Sequence, residues 1–287
     1  MIQIDRTLFP FRSRWFAAPE GRIHYIDEGS GPALLFCHGS PTWSFLFRKV
    51  VASLRDDYRC IAVDHLGFGL SERPDDFGYT VREHIAVLGE VIDHLDLDDY
   101  VIVGHDWGGP IGLGASTGRG DRLRGAVLTN TAFWPITALP NRLFSAAMGT
   151  TTMQRRIVEH NFLVEKILLG RFGPPLSDVE ADHYRRVQPT PDDRRGLAVI
   201  PTEITAATPL LTTLEHDVAT LIRDVPALAV WGMRDKVFPA KSCLPRVAAA
   251  FDDLSVVELP DVGHFTAEEA PDVLAESIAA RFPVRAA

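Results

Sequence analysis

Three side chains in this sequence have the types and surroundings to make and break a covalent bond. Asp106 stands in Val101-Ile102-Val103-Gly104-His105-Asp106-Trp107-Gly108-Gly109, an apolar run that ends in small residues and leads into a helical pattern. Glycines two before and two after the aspartate leave room for a sharp strand-to-helix turn. That turn puts Asp106 beside the N-terminus of the next helix, whose free N–H groups favour negative charge. Asp235 ends the run Val230-Trp231-Gly232-Met233-Arg234-Asp235, and His264 lies in Pro260-Asp261-Val262-Gly263-His264-Phe265, just ahead of the last helical stretch. A carboxylate, ionised at neutral pH, can displace a leaving group from saturated carbon with no base, forming an alkyl ester. Opening that ester requires water, a base to take its proton and an acid to orient the base. A serine in the same place would form an ether that this machinery could not open. Each of the three also has a plain structural use, as a helix-capping acid, a turn acid and a loop histidine. Their chain order and their places at the ends of apolar runs set them apart.

A fourth segment, Leu34-Leu35-Phe36-Cys37-His38-Gly39-Ser40-Pro41-Thr42-Trp43, repeats the pattern of an apolar run followed by a turn of small residues. His38 reads as a hydrogen-bonding residue of that turn rather than as a base. The other histidines form no H-x-H or H-x-x-x-H pair, and no C-x-x-C occurs, so no metal centre is expected. The glycine-rich loop Asp64-His65-Leu66-Gly67-Phe68-Gly69-Leu70-Ser71-Glu72-Arg73-Pro74 lacks the G-x-G-x-x-G spacing of a dinucleotide site. No cofactor is expected.

The elements that must position these residues alternate between two periods. Residues 14–18 and 22–27 read as edge strands joined at Pro19-Glu20-Gly21, and 33–37 as a strand buried on both faces. A helix over 44–54, a strand over 60–63, a helix over 81–95 and a strand over 100–103 follow. A helix over 110–117 and a strand over 126–128 continue the series. This βαβα rhythm predicts a mostly parallel sheet flanked by helices. It breaks between Phe133 and Asp217, where there are helix-like stretches (143–148 and 155–167) and prolines but no good strand. It resumes at 227–230, with a helix after Pro239, a strand over 254–259 and a final helix from Pro271. The expectation is an α/β core of residues 1–132 and 218–287, with a helical cap inserted at 133–217. The order nucleophile, acid, base is that of the α/β-hydrolase fold. In that fold the backbone N–H groups of Ser40 and Trp107 would hold an oxyanion.

Composition narrows the partners. The chain has 287 residues, 46% of them hydrophobic, and a formal charge of −9, so nucleic acid is a poor partner. Cys37, Cys60 and Cys243 are an odd, scattered set, which argues against a disulfide framework. No secretory leader and no membrane span is read, so no membrane partner is expected, a cytoplasmic location is expected, and a homo-oligomer is possible. Oligomeric state is left open.

An aspartate at this turn points to saturated electrophiles, namely haloalkanes or epoxides. The segments His38–Trp43, Asp64–Pro74, Gly104–Gly109, Gly232–Asp235 and Gly263–Phe265, with His183-Tyr184-Arg185, resemble the haloalkane dehalogenases over nearly the whole chain. That resemblance implies a small halogenated hydrophobic substrate and a halide product, with the Trp107 indole as one halide donor. Epoxide hydrolases of this fold protonate the opening ring with two cap tyrosines, but residues 133–217 offer only Tyr184. Residues 127–142 contain no Asp or Glu, so Asp235 is the one well-placed acid. The sequence thus resembles the third dehalogenase subfamily, with an Asp-His-Asp triad. It departs from it at Ser40, where that subfamily carries Asn as the second halide donor. Ser40 through its hydroxyl, Trp134, or no residue at all takes that part. An epoxide hydrolase, or another hydrolase with an aspartate nucleophile, is the alternative. A ligand-binding module without catalysis and a luciferase-like oxygenase are the remaining readings.

Overall fold

A computed structural model describes residues 4–170 and 173–284. Eight strands form one sheet: β1 (Ser13–Ala18), β2 (Gly21–Glu28), β3 (Ala33–Cys37), β4 (Arg59–Val63), β5 (Tyr100–His105), β6 (Leu123–Thr129), β7 (Ala227–Gly232) and β8 (Leu254–Leu259). Their spatial order is β1-β2-β4-β3-β5-β6-β7-β8. β1 and β2 make an antiparallel hairpin on one edge, and β2 runs antiparallel to β4. Every other pair is parallel. The strands that read as unbroken apolar runs are the central ones. β3, β5 and β7 are buried at every position, whereas the edge strand β8 alternates with solvent. A parallel strand with helices on both faces has no wet side, which is why its sequence lacks alternation.

The flanking helices of the core are α1 (Arg48–Leu54), α2 (Val81–His94) and α3 (Gly108–Thr117). α2 starts with a capping box, in which Glu83 N–H donates to the Thr80 hydroxyl and Thr80 N–H donates to the Glu83 carboxylate. Such a cap is worth about 1 kcal/mol. Between β6 and β7 lie α4 (Leu139–Met148), α5 (Thr151–His160), α6 (Asp178–Arg186), α7 (Arg195–Ala206) and α8 (Thr208–Leu221). The chain closes with α9 (Ala240–Ala250), the short α10 (Thr266–Glu269) and α11 (Pro271–Arg281).

Two details of the segment between β6 and β7 differ from the sequence expectation. The single helix read over 155–167 is split. Asn161 takes a left-handed conformation (φ +50°) that ends α5, and residues Leu163–Leu168 continue as a π-helical stretch. A periodic apolar pattern cannot reveal this, because Asn tolerates φ > 0 without altering the period. α8 also runs through Asp217, so the chain has no break at the expected domain edge, and this helix packs on α3 and α9 of the core.

α6 is fastened to the core by a buried ionic cluster. Arg48 of α1 pairs with Glu180 of α6 and with Glu268 of α10. The fully buried Tyr184 donates its hydroxyl to Glu268 at 2.5 Å. Breaking one partner out of a buried cluster of this kind costs about 3–5 kcal/mol, because the remaining charge is stranded.

Candidate active site

The strand order itself brings two distant loops together. The chain passes from β3 to β4 on one side and later places β5 on the other side of β3. Parallel α/β sheets open a crevice at such a reversal, at the carboxyl ends of the strands. The loops after β3 and β5 are therefore neighbours although 66 residues separate Ser40 from Asp106.

Asp106 occupies the turn between β5 and α3 with φ +52°, a left-handed conformation for a residue with a side chain. Holding it there costs about 1–3 kcal/mol and requires its neighbours to be small. A Cβ on Gly108 would lie 1.8 Å from the Cys37 carbonyl oxygen, and one on Gly104 2.6 Å from the Gly109 Cα. Thr131 adds a hydroxyl hydrogen bond to the Asp106 carbonyl at 2.5 Å. The side chain so presented is buried, and its two oxygens meet different partners. Oδ1 accepts the Ser40 backbone N–H at 3.0 Å, and Oδ2 faces His264 Nε2 at 3.6 Å.

His264 is oriented from its other side by Asp235, Nδ1 to Oδ2 at 2.9 Å. Burial on its own works against an imidazolium here. Asp235 and Asp106 outweigh that effect and raise the His264 pKa to about 10. Burial would likewise raise the Asp235 pKa, but His264, the Val237 N–H and the Asn130 amide bring it below the ordinary carboxylate value. The loop carrying His264 is held at both flanks, since Glu269 accepts the N–H of Gly263 at 2.8 Å and of Phe265 at 3.1 Å.

The three residues singled out by chemistry thus converge, and their nearest histidine neighbours take no part in the triad. His105 packs against His264 with ring centroids 4.7 Å apart, and burial pushes its pKa down to about 3, so it stays neutral. His38 binds the Gly39 carbonyl through Nδ1 and accepts the His65 N–H at Nε2, the loop-bracing place expected for it. Asp64 joins His24 and the N–H groups of Ser44 and Leu70, so the glycine-rich loop braces the site from below.

Above Asp106 lies a cavity of about 110 Å³. Its floor is Asp106, Trp107, Ser40 and His264, and its walls are apolar apart from Asn141 of α4. The Trp107 indole N–H has no protein acceptor among the described residues. The Ser40 hydroxyl is buried and has no hydrogen-bond partner, the costly arrangement that a bound ligand relieves. Trp134, the other candidate donor, does not line this cavity. It packs edge-on to Phe133 and lies under the Arg246 guanidinium, 4.9 Å from its ring centre, on a neighbouring groove. Tyr184 does not line the cavity either.

Sequence reasoning missed Asn130. It sits directly after β6 in a left-handed conformation (φ +40°), fully buried. Its amide donates to Asp235 Oδ2 at 2.9 Å and to the Gly232 carbonyl at 3.1 Å, while its carbonyl accepts the Gly232 N–H at 2.8 Å. One side chain therefore fixes both the acid and the turn that carries it. The available signal was an Asn at the C-terminal end of a central strand, the edge where such sheets place their chemistry. Glu269 was missed for a different reason, since its contacts are to backbone and leave no pattern in the sequence.

Comparison with known proteins gives the fold and the family. Residues 32–271 match the alpha/beta hydrolase fold family. Haloalkane dehalogenase 2 of Mycobacterium tuberculosis is 50% identical over 279 residues, 97% of each chain. A cis-3-alkyl-4-alkyloxetan-2-one decarboxylase of Xanthomonas campestris is 30% identical, over 90% of this chain and 91% of its own. Among solved structures, haloalkane dehalogenase DbeA from Bradyrhizobium elkani superposes with a TM-score of 0.86 at 23% identity, covering 94% of this chain and 97% of its own, a likeness of fold. The half-identity to a dehalogenase extends over 279 residues, 97% of this chain. The chain belongs to the haloalkane dehalogenase family of the α/β-hydrolase fold.

Proposed function

We propose that this protein is a haloalkane dehalogenase that converts a small halogenated hydrophobic substrate into an alcohol, a halide and a proton. The observation that carries the reading is a carboxylate, Asp106, at the strand-to-helix turn beneath an apolar cavity, with one oxygen tied to the Ser40 N–H and the other facing His264. In the first step Asp106 Oδ2 attacks the halogen-bearing carbon, the carbon–halogen bond breaks, and the halide leaves with the bonding electrons. The Trp107 indole N–H and the Ser40 hydroxyl are the donors for that ion, because they are the groups at the cavity floor without protein acceptors. An indole N–H donates without titrating.

In the second step water attacks the Asp106 carboxyl carbon and His264 Nε2 takes its proton. The charge that develops on Oδ1 falls where the Ser40 N–H already lies. Collapse expels the alcohol oxygen, which takes up a proton, and restores the carboxylate. Asp235 holds the imidazole in its orientation and Asn130 holds Asp235. Residues 133–217 act as the cap that supplies the apolar wall. Against an epoxide substrate stands the place of Tyr184, which is spent on Glu268 rather than aimed at the cavity. The test is halide release over a panel of bromo- and chloroalkanes beside diol formation from an epoxide panel. Turnover of epoxides alone would refute the proposal.

A further inference from the structure

We infer that the outer face of α4, beside the mouth of the cavity, docks on an anionic lipid surface. The inference rests on the shape and charge of the cap and does not depend on the reaction proposed above.

α4 is amphipathic in the reverse of the usual sense. Its inward positions are Asn141, Ser145 and Met148, whereas Leu139, Pro140, Leu143, Phe144, Ala146 and Ala147 face solvent. A helix on a protein surface ordinarily turns its polar side outward. Leu139 is 65% exposed and Leu143 61%. Of the twelve large hydrophobic side chains exposed among the described residues, five gather here: Leu139, Leu143, Phe144, Ile167 and Val237. The last three also line the cavity, so the exposed apolar patch is continuous with the cavity wall. A contiguous apolar patch rimmed by polar groups is a mark of an interaction surface.

The charge around the patch selects the kind of surface. The chain as a whole is at −9, yet no acidic residue occurs between Asp121 and Glu159. Arg142 on α4, Arg156 on the adjoining α5 and Lys166 beside Ile167 have no carboxylate partner among the described residues. The nearest acids along the chain, Glu159 and Glu165, are paired to Arg155 and Arg185. An apolar helix face with cations at its margin matches the boundary of an anionic bilayer, where acyl chains lie under phosphate groups. The docking is peripheral, since no single described helix is long and apolar enough to cross a membrane. It would set the cavity mouth against the phase in which an apolar ligand concentrates.

The experiment is flotation of the full chain with phosphatidylcholine vesicles, with and without phosphatidylglycerol. The protein should float with the anionic vesicles, less with the zwitterionic ones, and added salt should release it. Arg142→Gln should lower the affinity about fivefold, the worth of one cation near such a surface. Leu139→Asp with Leu143→Asp should abolish flotation. Both side chains are more than half exposed, so the thermal melt should stay put, and Leu143→Gln serves as a milder variant if it does not. Failure to float with anionic vesicles, or flotation unchanged in the double variant, would overturn the inference. So would light scattering that shows a dimer dissolved by the double variant, since a second copy would then be what covers α4.

Discussion

His264→Phe separates the two chemical steps. In the wild-type site the imidazolium lies 3.6 Å from Asp106 Oδ2, an attraction of about 4–5 kcal/mol at an effective dielectric of about 20. That attraction steadies the nucleophile and does nothing to activate it, so its loss should not slow alkylation. Ester hydrolysis loses its base, and general-base catalysis is worth roughly 10²–10⁴ in rate. The variant should therefore release one halide per active site at an undiminished rate. Steady turnover should then fall by at least about 100-fold. Rapid-quench halide measurement gives the burst, and mass spectrometry should find the alkyl group on the peptide bearing Asp106. The variant also leaves Asp235 buried with only Asn130 and the Val237 N–H as donors. Its melting temperature should fall, and His264→Gln, which keeps a donor near Asp235, should fall less. Repeated turnover by His264→Phe, a missing burst, or an adduct on another residue would refute this assignment of roles.

Other expectations follow from the same contacts. Bromide should quench tryptophan fluorescence saturably. Ser40→Ala should weaken that binding about 10- to 100-fold, as expected for losing a hydrogen bond to a charged group, and Ser40→Asn should strengthen it. Asn130→Ala should leave the halide burst intact and slow ester hydrolysis by about tenfold or more, because Asp235 and the Gly232 turn lose their shared anchor. Loss of the burst would place Asn130 elsewhere in the reaction. His264 has a folded pKa of about 10 against an unfolded value near 6.5. The stability it contributes is thus complete below about pH 6.5 and is lost as pH rises towards 10. Denaturant melts should show that decline in the wild type, and His264→Phe should be flatter over the same window.

Much of this site was legible because sharp turns and buried strands demand particular residues. Gly104 and Gly108 mark the Asp106 turn, since a Cβ at either would collide with backbone. The unbroken apolar run of β3 marks a strand covered on both faces. Contacts that any polar side chain could make leave no such trace. Asn130 and Glu269 act through backbone groups and a distant carboxylate, and nothing near them in sequence announces the partner. Trp134 was a reasonable halide donor by type, but it lines a neighbouring groove beneath Arg246 and not the cavity over Asp106. The break at Asn161 was hidden because the apolar period runs on through it.

A histidine with a pKa near 10 can serve as a base here because its charge depends on the state of Asp106. At neutral pH such a group is protonated and has no lone pair to offer. Two carboxylates hold it in that state against the effect of burial, and one of them is the nucleophile. When Asp106 becomes an ester it loses its charge, and His264 then faces Asp235 alone in a buried setting. Burial favours the neutral ring and one of the two carboxylates that oppose it has lost its charge, so the His264 pKa falls at the moment the ester forms. The proton that leaves frees Nε2 for water. Hydrolysis restores the Asp106 carboxylate and with it the imidazolium. On this reading the base is switched on by the first step and off by the second, and water meets an active base only when an ester is present. The burst phase should therefore be insensitive to pH across neutrality, whereas ester hydrolysis should slow in acid with an apparent pKa well below 10. An ester hydrolysis rate that climbs only as pH approaches 10 would mean that esterification does not release the proton.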